Sequence, residues 1–275
     1  MPETRLPIIT LTTDFGAADH YVGAVKAAIL SVSTSISIVD ITHEIPQHDI
    51  MEAGWILLNS FLVFPSRSVH VAVADPGVGT ARRPIVVSAR NHLFVGPDNG
   101  IFSFLYDSDP PARVHAITAT HYMRSQVSNT FHARDIFGPV AAHLARGADA
   151  ENVGDLIEDF VRLDLPRPIV TPEGLVRATV AHVDRFGNVI LNVTQAAISA
   201  LMARTGAPAI VAMVNGVRVT RLCKTYGEGP GSAPFMLFNS SDFLEIACNQ
   251  ARAVDLLKVR RGDPVDLTMV QQASQ

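Results

Sequence analysis

Val69-His70-Val71-Ala72-Val73-Ala74 runs directly into Asp75-Pro76-Gly77-Val78-Gly79-Thr80-Ala81-Arg82-Arg83. The first six residues are an apolar run without polar alternation, the pattern of a strand buried on both faces. The next nine place an acid, two glycines and an arginine pair at its end. The same order, apolar strand and then polar turn, occurs upstream, where Ile8 to Thr12 precedes Thr13-Asp14-Phe15-Gly16 and Ile36 to Ile41 forms a second apolar run. Between these runs lie helical patterns: Tyr21 to Leu30, with Val22, Val25, Ala28 and Ile29 on one face, and Ile50 to Phe64, closed by Pro65. Strand, helix, strand, helix, strand within about seventy residues predicts a doubly wound α/β domain with a mostly parallel sheet.

Pro84 to Ser88 and His92 to Val95 read as a hairpin joined through Ala89-Arg90-Asn91, Ile101 to Tyr106 as a short helix, and Val114 to Thr118 as a further strand. Asn129 to Asp135 leads into a helix carrying Ile136, Phe137, Val140, Ala141 and Leu144 on its apolar face and stopping at Gly147. The prolines between 166 and 173 mark a linker. They divide an α/β domain, 1–165, from a smaller domain, 174–275, whose short β-rich segments (Leu175 to Val183, Val189 to Val193, Ala209 to Val214, Val217 to Leu222, Phe235 to Phe238, Phe243 to Ala247, Val265 to Val270) predict an antiparallel, barrel-like fold. Asn215-Gly216 is a two-residue hairpin signal, and Tyr226 to Pro234 reads as a mobile loop.

The chain has 275 residues, 48% of them apolar, which is ample for a sizeable core. Its net charge of −4 removes the broad positive field that nucleic acid or an anionic membrane requires. Cys223 and Cys248 stand alone, without zinc-ligand spacing, as thiols of a reducing compartment. No apolar run is long enough to cross a membrane, and Met1 to Pro7 lacks the basic-then-apolar order of an export signal. A cytoplasmic protein with a small-molecule partner is expected, with no nucleic acid, no membrane and no metal.

Ligands of open parallel sheets bind beyond the carboxyl ends of the strands, where Asp14, Asp40, Asp75, Asp98 and Asn99 are expected. Singly, each is better read as a turn or helix-cap residue; several polar strand ends on one rim tip the balance toward a site. Pro76 biases Asp75 toward extended backbone, Gly77 and Gly79 permit positive φ, and Arg82 or Arg83 can fold back onto the acid as a bidentate pair. Such a pair suits structure and catalysis alike. His132, just before a helix N-terminus, is disfavoured as an imidazolium by the helix dipole, partly offset by Asp135; His43, His48 and His143 lack such company. Neither a P-loop nor a GxSxG elbow is present. Farther on, Asp184-Arg185-Phe186-Gly187-Asn188 and Asn239-Ser240-Ser241-Asp242 read as polar turns between strands, and Asn249-Gln250 as an amide pair able to meet a purine edge.

Taken in order, Thr12 to Gly16, Asp75 to Arg83, Gly96-Pro97-Asp98-Asn99-Gly100, Phe131 to Phe137, Asp184 to Asn188 and Asn239-Ser240-Ser241 resemble the S-adenosyl-L-methionine (SAM) hydrolases, or SAM hydroxide adenosyltransferases, relatives of the fluorinase and chlorinase. The resemblance implies a homotrimer binding SAM between subunits, with Asp75, Arg82 and His132 around the attacking water. It also implies Asp14 on the ribose, Phe131 along C5′, Asp184 on the methionine amine, Ser240 on its carboxylate, and Phe186, Asn188 and Asn249 around adenine. In the halogenating relatives a tyrosine stands at the position of Asp75, so the acid argues for water as nucleophile. The fluorinase has an arginine where this chain has Ser241, which weakens the carboxylate contact there.

The activity so implied is hydrolysis of SAM to adenosine and L-methionine by in-line attack on C5′, with no cofactor. A SAM-dependent halogenase and a nucleoside- or SAM-binding module without turnover are the alternatives. A SAM methyltransferase lacks the glycine-rich loop expected after the first strand.

Overall fold

A computed structural model describes residues 6–108, 110–171 and 174–270. The chain forms two compact units, Met1–Leu165 and Pro166–Gln275. Pro172 and Glu173 of the expected linker lie outside the described residues.

The first unit runs β1 (Ile8–Thr13), α1 (Tyr21–Val32), β2 (Ser37–Thr42), α2 (Ile50–Ser60), β3 (Val69–Val73), β4 (Pro84–Ala89), β5 (His92–Pro97), β6 (Arg113–Ala116) and α3 (Gly138–Ala145). Its six-stranded sheet has the order β2-β1-β3-β5-β4-β6. β2, β1, β3 and β5 pair in parallel, while β4 is antiparallel to both β5 and β6. A mostly parallel sheet is what the unalternating strands required. Every residue of β3 is buried, with Val69, Val71 and Val73 packed in one core cluster and Ala72 in the other. α1 and α3 supply Val25, Ile29, Val140 and Leu144 to the first cluster, and α2 gives Ala53 and Leu57 to the second. Asp49 caps α2, its carboxylate accepting from the backbone of Glu52 at 3.0 Å.

Three local expectations change. Asp40 is not a strand-end residue: it lies inside β2, where its carboxylate pairs with Lys26 at 2.6 Å and His43 at 3.1 Å. Ile101 to Tyr106 contracts to one 3₁₀ turn, Ser103–Leu105. The helix expected after Asp135 opens one turn earlier as a π-helical segment, Ala133–Phe137, that continues into α3. Single π turns inside helices concentrate at functional sites.

The second unit comprises β7 (Ile169–Val170), β8 (Leu175–Val183), β9 (Val189–Thr194), α4 (Gln195–Thr205), β10 (Ala209–Val214), β11 (Val217–Val219), β12 (Phe235–Phe238), β13 (Phe243–Ala247), α5 (Ala253–Leu257) and β14 (Pro264–Val270). The antiparallel order β11-β10-β14-β8-β9-β13-β12 curls nearly into a barrel, with β7, from the expected linker, added alongside β8. Beyond Val219 the chain no longer pairs with β10, and instead Arg221 and Cys223 exchange backbone hydrogen bonds with Met236 of β12, both 2.8 Å. This contact brings the two outer strands together. Asn215 and Gly216 both hold positive φ in the β10–β11 hairpin, as their sequence demanded. α4, unexpected amid β-rich sequence, starts at a Thr194 cap and stops at a left-handed Gly206.

Candidate functional site

β3 delivers Asp75 to the carboxyl end of the sheet, and the turn that follows returns Arg82 to it. Arg82 Nε donates to Asp75 Oδ1 at 3.0 Å and Nη2 donates to Oδ2, a two-pronged pair with side chains only 8% and 6% exposed. The same Nη2 lies 2.9 Å from Nδ1 of His132. Arg83 does not share this task. It holds buried Asp98 at 2.7 Å and Asp159 at 2.7 Å, while Asp98 also accepts from the backbone of Val161, so this second ion pair ties down the segment around 160. Asn99 donates to the carbonyl of Ala74 at 2.8 Å, fixing the strand end immediately before Asp75.

The approach of the two loops depends on one glycine. Gly79 holds φ +78°, and a Cβ there would run into the carbonyl oxygen of Asn129. Gly77, whose positive φ the sequence also allowed, does not use that region. With no side chain at 79, the Asp75–Arg83 turn lies directly against the Asn129–His132 segment.

Guanidinium groups only donate. His132 Nδ1 therefore accepts from Arg82, and the ring is the neutral tautomer carrying its proton on Nε2. Burial, and then the Arg82 charge, hold the His132 pKa below the ordinary histidine value. Asp135 scarcely opposes this. Fully buried, it is clamped by Arg134 at 2.6 Å, by Arg124 at 3.3 Å and by the backbone of Ser128. Burial alone would raise its pKa, but these partners bring it below the usual carboxylate value. Nη1 of Arg82 is buried and has no hydrogen-bond partner among the described residues, leaving one donor of the set unused.

On the same rim, Asp14 follows β1 and its Oδ2 accepts from the backbone of His48 at 2.9 Å. Phe131, Phe15 and Tyr21 stand edge to face, ring centres 5.4 to 6.2 Å apart, with the Arg134 guanidinium 5.0 Å from the Phe131 ring. Phe15 and Tyr21 are absent from the sequence-derived set. An aromatic in the polar turn after β1 and another opening α1 were the available signals.

In the second unit, Asp184 accepts from the backbone and side chain of Asn188 at 2.8 and 3.0 Å, which closes the β8–β9 turn and leaves Phe186 at its tip, 76% exposed. Antiparallel pairing of Ile246 with Val189 carries Asn249 to this same end of the barrel. Asn249 donates to Gly229 O at 3.0 Å, and Tyr226 donates to buried Glu245 at 2.8 Å. Both bonds hold the 226–234 loop, which also forms a 3₁₀ turn at Tyr226–Glu228. Burial, and to a lesser degree Asp184, push the Glu245 pKa up. Ser240 is exposed in the β12–β13 turn, at the far end of β13 from Asn249.

Among the described residues no helix is long and apolar enough to cross a membrane. The amino-terminal domain model of the SAM hydroxide adenosyltransferases matches residues 9–154, and the carboxy-terminal domain model matches 178–266. An (R)-S-adenosyl-L-methionine hydrolase of Salinispora arenicola is 36% identical over 95% of this chain and 98% of its own. A fluorinase of an Actinoplanes species is 23% identical over 70% of this chain and 74% of its own. A crystal structure of an uncharacterized conserved protein from Thermotoga maritima, 34% identical, superposes with a TM-score of 0.87 over 94% of this chain and 99% of that one.

Proposed function

The chain belongs to the SAM hydroxide adenosyltransferase family, and from that premise we propose that it hydrolyses SAM to adenosine and L-methionine. The observation that carries the mechanism is the hydrogen-bonded run Asp75–Arg82–His132. Water attacks C5′ in line with the sulfonium, the C5′–O bond forms as C5′–S breaks, and the electron pair leaves on sulfur as a neutral thioether. One proton is released from the water.

Geometry favours Asp75 as its acceptor. The Nδ1 lone pair of His132 is engaged by Arg82 and its Nε2 bears a proton, so His132 orients the water as a donor, whereas each Asp75 oxygen keeps a free lone pair. Holding water and carbon in line is worth up to roughly 7–11 kcal/mol, whereas a positioned base adds about 10²–10⁴-fold; positioning is the larger effect. Because the sulfonium departs without protonation, the reaction calls for no cofactor or metal. The Asp75 carboxylate repels a halide, which favours hydrolysis over halogenation.

Asp14 takes the ribose hydroxyls, and Phe131 lines C5′. Asp184 takes the methionine amine and Ser240 its carboxylate, with adenine among Phe186, Asn188 and Asn249. The assembly is a cytoplasmic homotrimer with sites shared between copies, a matter for light scattering. The function itself is tested by incubation with the R epimer at sulfur, the form named for the hydrolase relatives. Equal amounts of adenosine and methionine support it, and intact SAM overturns it.

A further inference from the structure

A cavity of about 1360 Å³ opens in the first unit at the end of the sheet opposite Asp75. Ser68, just ahead of β3, lies in its wall, so a strand length of about 17 Å separates it from the Asp75 site. Arg67, Arg90, Arg113 and Arg146 line it, against Asp149 and Glu151. Glu151 is taken by Arg113 at 2.8 Å. Arg67, Arg90 and Arg146 have no ion-pair partner among the described residues, so the cavity is positive in a chain whose net charge is −4.

Two of these arginines occupy unusual backbone. Arg67 has φ 71° and Arg90 has φ 51°, the left-handed region that glycine and asparagine adopt with less strain. The backbone N–H of Arg67 donates to Asn91 O at 2.7 Å, which locks the turn before β3 to the β4–β5 turn and starts both long side chains from fixed points. Each of the two turns thereby contributes a guanidinium group to the cavity lining. Independently, His115 is 3% exposed in the wall of the cavity, and its Nδ1 has no hydrogen-bond partner among the described residues. His115 thus adds an unmet hydrogen-bonding group among the residues that line the basic cavity.

We propose that this cavity binds a phosphorylated small molecule, its phosphate oxygens on Arg67 and Arg90 and its apolar part against Pro110, Pro111 and Leu144. Planar guanidinium forks match phosphate oxygens two at a time. The carboxyl end of α3, Leu144 and Ala145, also lines the cavity and disfavours negative charge beside it, so the phosphate belongs on Arg67 and Arg90 and the apolar part beside Leu144. The volume exceeds what a ligand of nucleotide size requires. The proposal is independent of the hydrolase chemistry at Asp75.

Calorimetric titration with inorganic pyrophosphate tests it. Saturable binding is expected, weakened at least about tenfold in the double variant Arg67→Asn/Arg90→Asn through loss of charge-assisted hydrogen bonds. Asparagine suits the left-handed backbone, so this variant folds, and its SAM turnover stays at the wild-type level. Arg82→Ala, which removes the guanidinium at the Asp75 site, leaves pyrophosphate affinity unchanged. Absence of saturable heat up to about 10 mM, undiminished affinity in the double variant, or loss of binding in Arg82→Ala would each overturn the proposal.

Discussion

Arg82 Nη2 stands 2.9 Å from His132 Nδ1 while the same guanidinium grips Asp75, and this contact sets the tautomer of the neutral histidine, with Nδ1 the acceptor. An imidazolium at position 132 would turn a donor toward a donor. The pKa of His132 is already depressed, by burial first and Arg82 second. The neutral form therefore persists as pH falls below 6.5, and the acid limb of kcat lies below the ordinary histidine range. In Arg82→Gln the charge is gone, and the His132 titration followed by NMR moves upward. An unmoved titration would remove Arg82 as a cause of the shift.

Asp75→Asn preserves shape but removes the proposed proton acceptor. kcat is expected to fall by about 10²–10⁴-fold, the usual worth of a positioned base, with KM for SAM little changed. A full-speed variant would exclude Asp75 from proton transfer, whereas a rise in KM alone would make it a binding residue.

Gly79→Ala tests whether loop contact assembles the site. The substitution adds left-handed strain of about 1–2 kcal/mol to a clash with the Asn129 carbonyl. Both the melting temperature and kcat should drop, because His132 is carried on the displaced segment. A variant equal to wild type in both would contradict the close approach.

Stability should depend on pH through a histidine pair remote from Asp75. His70 is fully buried, bonded to Thr10 at 2.8 Å and to His92 at 3.1 Å. Burial, reinforced by the neighbouring His92, lowers its pKa to about 3. The unfolded chain binds this proton near the ordinary value of 6.5, so the stabilisation is complete above pH 6.5 and is lost as pH falls from there toward 3. The slope reaches about 1.4 kcal/mol per pH unit. Urea titrations at pH 7 and pH 5 measure it, and His70→Leu should flatten the difference. A wild-type protein equally stable at both values would refute the assignment.

The fold class was legible because apolar strands and period-3.6 helices alternate from Ile8 to Ala74, and because Asn215-Gly216 admits one kind of turn. α4 was not, although Thr194, Ile198, Leu201 and Gly206 spell a capped helix, because the β-rich segments around it set the expectation. Asp75, Arg82 and His132 were legible as residues flanking a strand and a helix. That they touch depends on Gly79 and on the π turn after His132, which are tertiary facts. The choice of Arg82 over Arg83 came from the family resemblance, because the residues alone left both open: physically it turns on the burial of Asp98, which takes Arg83. The His70–His92 pair passed as ordinary strand sequence, because a neutral histidine in a core reads like its apolar neighbours.

The central claim is that water, held by Asp75, Arg82 and His132, attacks C5′. Turnover of (R)-SAM in ¹⁸O-labelled water, followed by mass spectrometry of the adenosine, tests it most directly. One labelled oxygen in the 5′-hydroxyl for every adenosine released is the predicted result. Adenosine without label, or a 5′-chloro nucleoside when chloride is present, would contradict it.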